Sequence, residues 1–315
     1  MTDWLGKPYY SLDAYLKKTF GEKVYKLSLD GGMTCPNRDG TCGDRGCIFC
    51  SAGGSGDFAG DRNKSIPEQI REQKSLLQQK RPVHKFIAYF QAYTNTYAPV
   101  EYLEKIFREA ISDEEVVVLS IGTRPDCLGE EVLSLLEELN RIKPVWVELG
   151  LQTVHDGTAA MFNRCYPTVL FFDAVRRLDA LGLPVVAHLI LGLPGETEDM
   201  MAQSIDEVCR APVSGLKLAL LHVLRGTPLE ALYRQGRVPF YTLEAYADLL
   251  CSLLPRVPAS VVLHRLTGDG NKRLLLSPLW SADKKRVLNT LHRRFLEKNV
   301  VQGSFFQKSI DNGCY

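Results

Sequence analysis

The chain has 315 residues, 45% of them hydrophobic and 24% charged, with a net charge of +1. That composition excludes disorder, provides for one main core with an appendage, and by itself implies no anionic partner. The longest apolar runs, Val185 to Leu193 and Leu218 to Leu224, are too short or too interrupted to span a bilayer. Met1 to Tyr10 carries Asp3, Lys7 and Pro8 among its aromatics, so no secretory signal is read and a cytoplasmic protein without a membrane partner is expected.

Along the chain a short β-branched or aromatic run recurs, each followed by turn residues and an amphipathic stretch. In order, the pattern predicts strand Val24 to Leu29, helix Pro67 to Lys80, strand Val83 to Phe90 and helix Pro99 to Ile111. Strand Val116 to Ile121, helix Glu130 to Arg141, strand Val145 to Leu149 and helix Val169 to Leu181 follow. Strand Pro184 to Leu191, helix Glu198 to Arg210, strand Leu216 to Leu221 and helix Thr242 to Leu254 complete the series. Pro67 and Pro99 suit a first helical turn, where the missing N–H costs nothing. Six β-then-α units imply an α/β fold with a parallel sheet, either curled towards a barrel or open and doubly wound. In both, functional side chains gather beyond the C-terminal ends of the strands.

Nine cysteines without an export signal argue for thiols or metal ligands and against a disulfide framework. Cys127, Cys165, Cys209, Cys251 and Cys314 are scattered and read as small hydrophobes. Cys35, Cys42, Cys47 and Cys50 crowd the glycine-rich loop after the first strand. Two metal readings fit them: a zinc site using all four thiolates, or an iron-sulfur cluster on three that leaves one iron open. Only Cys47 and Cys50 form a close pair, which favours the cluster and leaves zinc open, with a thioredoxin-type pair third. Charge is also uneven. Between Arg256 and Val300 ten Lys and Arg face three acids, a net +7 that leaves the rest of the chain at −6. Such asymmetry hints at nucleic acid, against the plain alternative of a solvated helix face.

The loop, with Cys35 set far from Cys47-Ile48-Phe49-Cys50, resembles the cluster loop of radical S-adenosylmethionine (SAM) enzymes. The resemblance is to the branch related to the catalytic subunit of the elongator complex and to bacterial relatives with a short C-terminal extension. It continues at the later strand ends in Ile121-Gly122-Thr123-Arg124-Pro125-Asp126, Glu148-Leu149-Gly150-Leu151-Gln152-Thr153, Asn163-Arg164, Leu191 to Thr197, Leu216-Lys217 and Arg225-Gly226-Thr227. His264 to Gly270 and Leu276 to Trp280 are similar to the bacterial extension.

The resemblance implies a partial (β/α)6 TIM-like barrel over 24–255, after a segment 1–23 and before a basic extension 256–315. It implies a [4Fe–4S] cluster on Cys35, Cys47 and Cys50, leaving Cys42 outside the ligand set. Reductive cleavage of SAM to methionine and a 5′-deoxyadenosyl radical would follow, with flavodoxin or ferredoxin as electron donor. The SAM contacts it implies are Arg124, Glu148, Gln152 and Arg164, with Gln91 standing where a Gly-Gly-Glu is common. These residues also make physical sense. A carboxylate in the apolar run around Glu148 needs a hydrogen-bonding task or an ion pair. Arg124 and Arg164 suit a bidentate grip on a carboxylate. Lys217, in another apolar run, is the expected catalytic contact, or else a snorkelling edge lysine, and His222 reads as a core histidine. The elongator analogy and the basic segment make RNA, specifically tRNA at its wobble uridine, the expected substrate. A radical SAM enzyme acting on a small metabolite or a protein, and a zinc-stabilised RNA-binding protein, are the alternatives.

Overall fold

Period-two alternation in the strands decides which side chains meet the helices and which enter the curl of the sheet. The computed structural model describes residues 4–54, 58–80, 82–238, 240–268 and 270–306; Asp269 and Cys314 lie outside the described residues. Helix α1 (Leu12–Phe20), which the sequence pattern did not predict, is capped by Ser11 Oγ, accepting from the Ala14 amide at 3.3 Å, and by Gly21 at φ 77°. Then come β1 (Tyr25–Leu29), α2 (Ile66–Gln78), β2 (Phe86–Phe90), α3 (Val100–Ile111), β3 (Val116–Thr123) and α4 (Glu130–Ile142). They are followed by β4 (Val145–Gln152), α5 (Asp156–Met161), α6 (Thr168–Ala180), β5 (Val185–Leu191), α7 (Glu198–Arg210), β6 (Gly215–Leu220), β7 (Val223–Leu224), α8 (Pro228–Arg234) and α9 (Leu243–Leu253). The extension adds β8 (Val262–Arg265), β9 (Leu275–Ser277) and α10 (Lys284–Glu297). Pro67 does lie in the first turn of α2, whereas Pro99 is the residue before α3, its carbonyl accepting from Tyr102 and Leu103.

The main sheet runs β1-β2-β3-β4-β5-β6-β8, every pair parallel, and its edges β1 and β8 are not paired to each other. It is an α/β partial barrel, as expected, with one strand more than the six predicted. The seventh is short and comes from the extension, where Arg265 registers opposite Lys217. β7 and β9 form a separate antiparallel ribbon.

One strand face is Leu27, Phe90, Ile121, Leu149, Leu189 and Leu218 with their period-two partners, packed under the helices in the main core. Val287, Leu291 and Phe295 tie α10 into that same core. The other face points into the barrel. Its lowest layer, Ile87, Val118 and Trp146, is plugged by Leu16 of α1. No helix among the described residues is long and apolar enough to cross a membrane.

Candidate active site

The cysteine loop follows β1 and turns on short backbone bonds, Arg38 N to Cys35 O at 2.8 Å, Gly46 N to Asn37 O at 2.7 Å and Cys50 N to Cys47 O at 3.0 Å. These turns bring Cys35, Cys47 and Cys50 onto one wall of a cavity of about 280 Å³ at the C-terminal ends of the strands. Cys42 is exposed and does not line it. The sulfurs sit among donors and positive charge. The Asn37 amide points at Cys47 Sγ over 3.6 Å, and Arg124 Nη1 lies 4.0 Å from Cys35 Sγ. A hydrogen bond from Cys47 draws the Cys50 thiol down against burial, with Arg38 assisting, while Cys47, the donor, is pushed well up. Among the described residues no three His, Cys, Asp or Glu close around a single metal ion.

Two arginines brace this wall. Arg124 holds Asp126 through Nε at 2.9 Å and Nη2 at 2.6 Å, and its Nη1 reaches Asn37 Oδ1 at 2.6 Å. Arg164 is 1% exposed, and all five of its N–H donors meet protein acceptors. These are the carbonyls of Tyr166 (3.0 Å), Leu151 (3.0 Å) and Thr153 (2.7 Å), with Asp156 (2.6 Å) and Thr168 Oγ (2.8 Å). No donor remains for a ligand carboxylate. These bonds make Arg164 a tie joining β4 to the turn before α6, at the cavity wall where a grip on a ligand carboxylate was expected. Tyr166 lies under both guanidinium groups, 5.0 Å from Arg124 and 4.7 Å from Arg164.

Beneath the cavity the inward faces contribute a polar layer. Glu148 of β4 is completely buried. Its Oε1 accepts from Lys26 at 2.9 Å and Ser120 at 2.8 Å, and its Oε2 from His188 at 2.8 Å and from Lys217. Burial pushes the Glu148 carboxyl up, but Lys217, Lys26 and His188 outweigh it and hold the group well below the usual carboxylate range. Lys217 is likewise buried, and the Glu148 carboxylate is the charge that opposes the cost of its burial. His188 is lowered to about 4, by burial first and then by the charge of Lys217. Lys217 Nζ also meets Tyr89 Oη at 3.1 Å. The hydrogen-bonding task expected of Glu148 is thus met within the protein, by an ion pair across strands.

Gln91, Gln152, Arg124, Glu148, Arg164 and Lys217 all line the cavity with the three thiols. Gln152 is held at φ 67° after a bulge in the β4–β5 pairing, so its side chain stands beside Gly150 at the mouth. Sequence reasoning missed Lys26, Arg38, Tyr89 and His188. Alternation could have found three of them, because Lys26, Tyr89 and His188 share the inward face with Glu148 and Lys217. Cys209 and Cys251 are buried, as expected of small hydrophobes, whereas Cys165 is exposed and Cys127 half-buried.

The basic extension is partly neutralised on its own surface. Arg294 holds Asp248 through two bonds of 2.6 and 2.8 Å, Lys298 reaches the same carboxylate at 2.8 Å, and Arg256 holds Asp206 at 2.7 Å. Trp280 is half-buried, its Nε1 donating to the Tyr241 carbonyl at 2.9 Å.

Residues 40–208 match the Radical SAM superfamily and residues 213–297 the Radical_SAM C-terminal domain, so the first match begins just after Cys35. The chain is 44% identical to the Bacillus subtilis protein YtqA, over 96% of this chain and 94% of that one. It is 25% identical to the tRNA uridine(34) acetyltransferase of Methanocaldococcus jannaschii, over 61% of this chain but 35% of that protein. In fold it is similar to the archaeal Methanocaldococcus infernus Elp3, with a TM-score of 0.69 over 89% of this chain and 64% of that chain, at 17% identity. The thiol-lined cavity at the mouth of a parallel partial barrel, together with these matches, makes the chain a member of the radical SAM superfamily, enzymes that use a [4Fe–4S] cluster and S-adenosylmethionine.

Proposed function

We propose that Cys35, Cys47 and Cys50 hold the [4Fe–4S] cluster and that the cavity before them receives SAM. The observation that carries this reading is the three thiols lining one cavity, with Asn37 and Arg124 directed at the sulfurs of Cys47 and Cys35. Amide and guanidinium donors at thiolate sulfurs fit the charge of an iron-sulfur centre and tune its potential. When bound, such a centre would supply the electron for reductive cleavage of a carbon–sulfur bond of SAM. The protein supplies placement. Gln91 and Gln152 offer side-chain amides at the mouth, Arg124 keeps the Cys35 turn against Asn37, and Arg164 fixes the β4 end. Lys217, touching Tyr89 and Glu148 on the floor, is the residue proposed to meet substrate or carry its proton.

The proposed substrate is RNA, specifically tRNA at its wobble uridine, with flavodoxin or ferredoxin as reductant. Support comes from the relative named for uridine 34 of tRNA and from the basic extension. Two experiments test the two levels separately. Anaerobically reconstituted, reduced protein should release 5′-deoxyadenosine from SAM; stoichiometric zinc without that product would overturn the enzyme reading. A deletion strain should lack one modified tRNA nucleoside found in wild type. Unchanged tRNA with an altered metabolite pool would favour a small substrate.

A further inference from the structure

A second cavity, of about 580 Å³, opens at the gap between the barrel edges. It shares Tyr89, Gln91 and Arg265 with the thiol-lined cavity, so the two adjoin across one threshold. Lys26 and Ser28 of β1 form one side, and Gly268 with residues of the 270–284 stretch of the extension forms the other. That second side is built closely onto the barrel. A Cβ on Gly268 or Gly270 would lie 2.1 or 2.6 Å from a ring nitrogen of His222, so the backbone here presses against the imidazole and leaves no room for a larger residue.

The charge of the described residues lining this cavity is one-sided. Lys26, Arg265, Lys272, Arg273 and Lys284 line it, with no acid among the described lining residues. Lys26 is committed to Glu148. Lys272 and Arg273 are exposed and make no side-chain hydrogen bond or ion pair among the described residues. Facing them at the rim is Phe58, 53% exposed, a large apolar ring with little protein to cover it. The volume is that of a ligand pocket. Exposed cations such as Lys272 and Arg273 beside an exposed aromatic ring are the arrangement by which proteins hold single-stranded nucleotides, phosphate on the cations and base on the ring.

We infer that this lateral cavity is the substrate nucleotide's seat. Lys272 and Arg273 take its flanking phosphates, Phe58 stacks a base, and the nucleotide reaches the radical chemistry across Tyr89, Gln91 and Arg265. The inference rests on the RNA reading above and places its main contact at the barrel's side opening. The test measures binding of a tRNA transcript to the reconstituted protein over a series of salt concentrations. The proteins compared are wild type, Lys272→Ala/Arg273→Ala, Phe58→Ala, and a Lys285→Ala/Arg286→Ala control on α10. Loss of two single-strand phosphate contacts should make the slope of log affinity on log salt shallower by about 1.4. Phe58→Ala should weaken binding roughly five- to a hundredfold at every salt concentration. Melting temperatures of the variants show that folding is intact, since all five side chains are exposed. If tRNA binds wild type and the cavity variants equally while the α10 pair flattens the slope, the cavity inference fails and the RNA reading stands. If wild type binds no tRNA, both fail.

Discussion

Replacing Arg164 by Met separates a structural tie from a ligand grip, because the two roles predict losses in different measurements. Met keeps most of the apolar stem and removes five N–H donors from a side chain that is 1% exposed. The Asp156 contact contributes little, since that carboxylate is 59% exposed and screened. Thr168 Oγ keeps partners in Asp156 and the Val154 carbonyl. What remains is the Leu151, Thr153 and Tyr166 carbonyls, each losing a charge-assisted bond. At about 1 kcal/mol for each buried acceptor left short, the loss is about 3 kcal/mol. Urea unfolding of the cluster-free protein reads it directly, with no cofactor in the measurement. A loss below about 1 kcal/mol together with a tenfold drop in SAM affinity of the reconstituted enzyme would refute the argument and restore Arg164 as a carboxylate grip.

The remaining predictions concern the polar floor and the basic extension. His188 accepts a proton below its ordinary value of 6.5 when unfolded but only near 4 when folded, so stability should fall as pH drops between those values, by about 3 kcal/mol in all. His188→Gln, which can still donate to Glu148, should flatten the fall in urea midpoints measured across that window. Glu148→Gln should cost about 3–5 kcal/mol by leaving Lys217 without its buried counter-ion. Adding Lys217→Met should recover part of that loss, and strict additivity in the double-mutant cycle would refute the pairing. Arg294→Ala should leave the salt dependence of tRNA binding unchanged, because that guanidinium is engaged by Asp248. A flatter slope would return it to the RNA surface.

The sheet was legible because its helix-facing sides are apolar, and the helices because all six predicted ones end within two residues of the observed boundaries at both ends. What the patterns missed has physical causes. β8 is four residues long, too short for its alternation to register, so only its pairing with β6 identifies it. α1 is only nine residues long and α10 is rich in Lys and Arg, so α10 reads as a charge run until Val287, Leu291 and Phe295 are seen in the core. In the site, spacing identified the thiol loop but could not say how each lone charge is compensated. Glu148 and Lys217 stood out as charges in apolar strands. That they neutralise each other, with Lys26 and His188 from two further strands, depends on register across the sheet. The engagement of Arg164 was hidden for the same reason, since three of its acceptors are backbone carbonyls that carry no sequence signal.

The central claim, a cluster on Cys35, Cys47 and Cys50, is tested most directly by the iron content of four reconstituted single variants prepared without oxygen. Cys42→Ala should keep about four irons per chain, the brown colour and 5′-deoxyadenosine formation, while Ala at Cys35, Cys47 or Cys50 should lose the cluster. A colourless Cys42→Ala beside a brown, iron-replete Cys35→Ala would contradict the account.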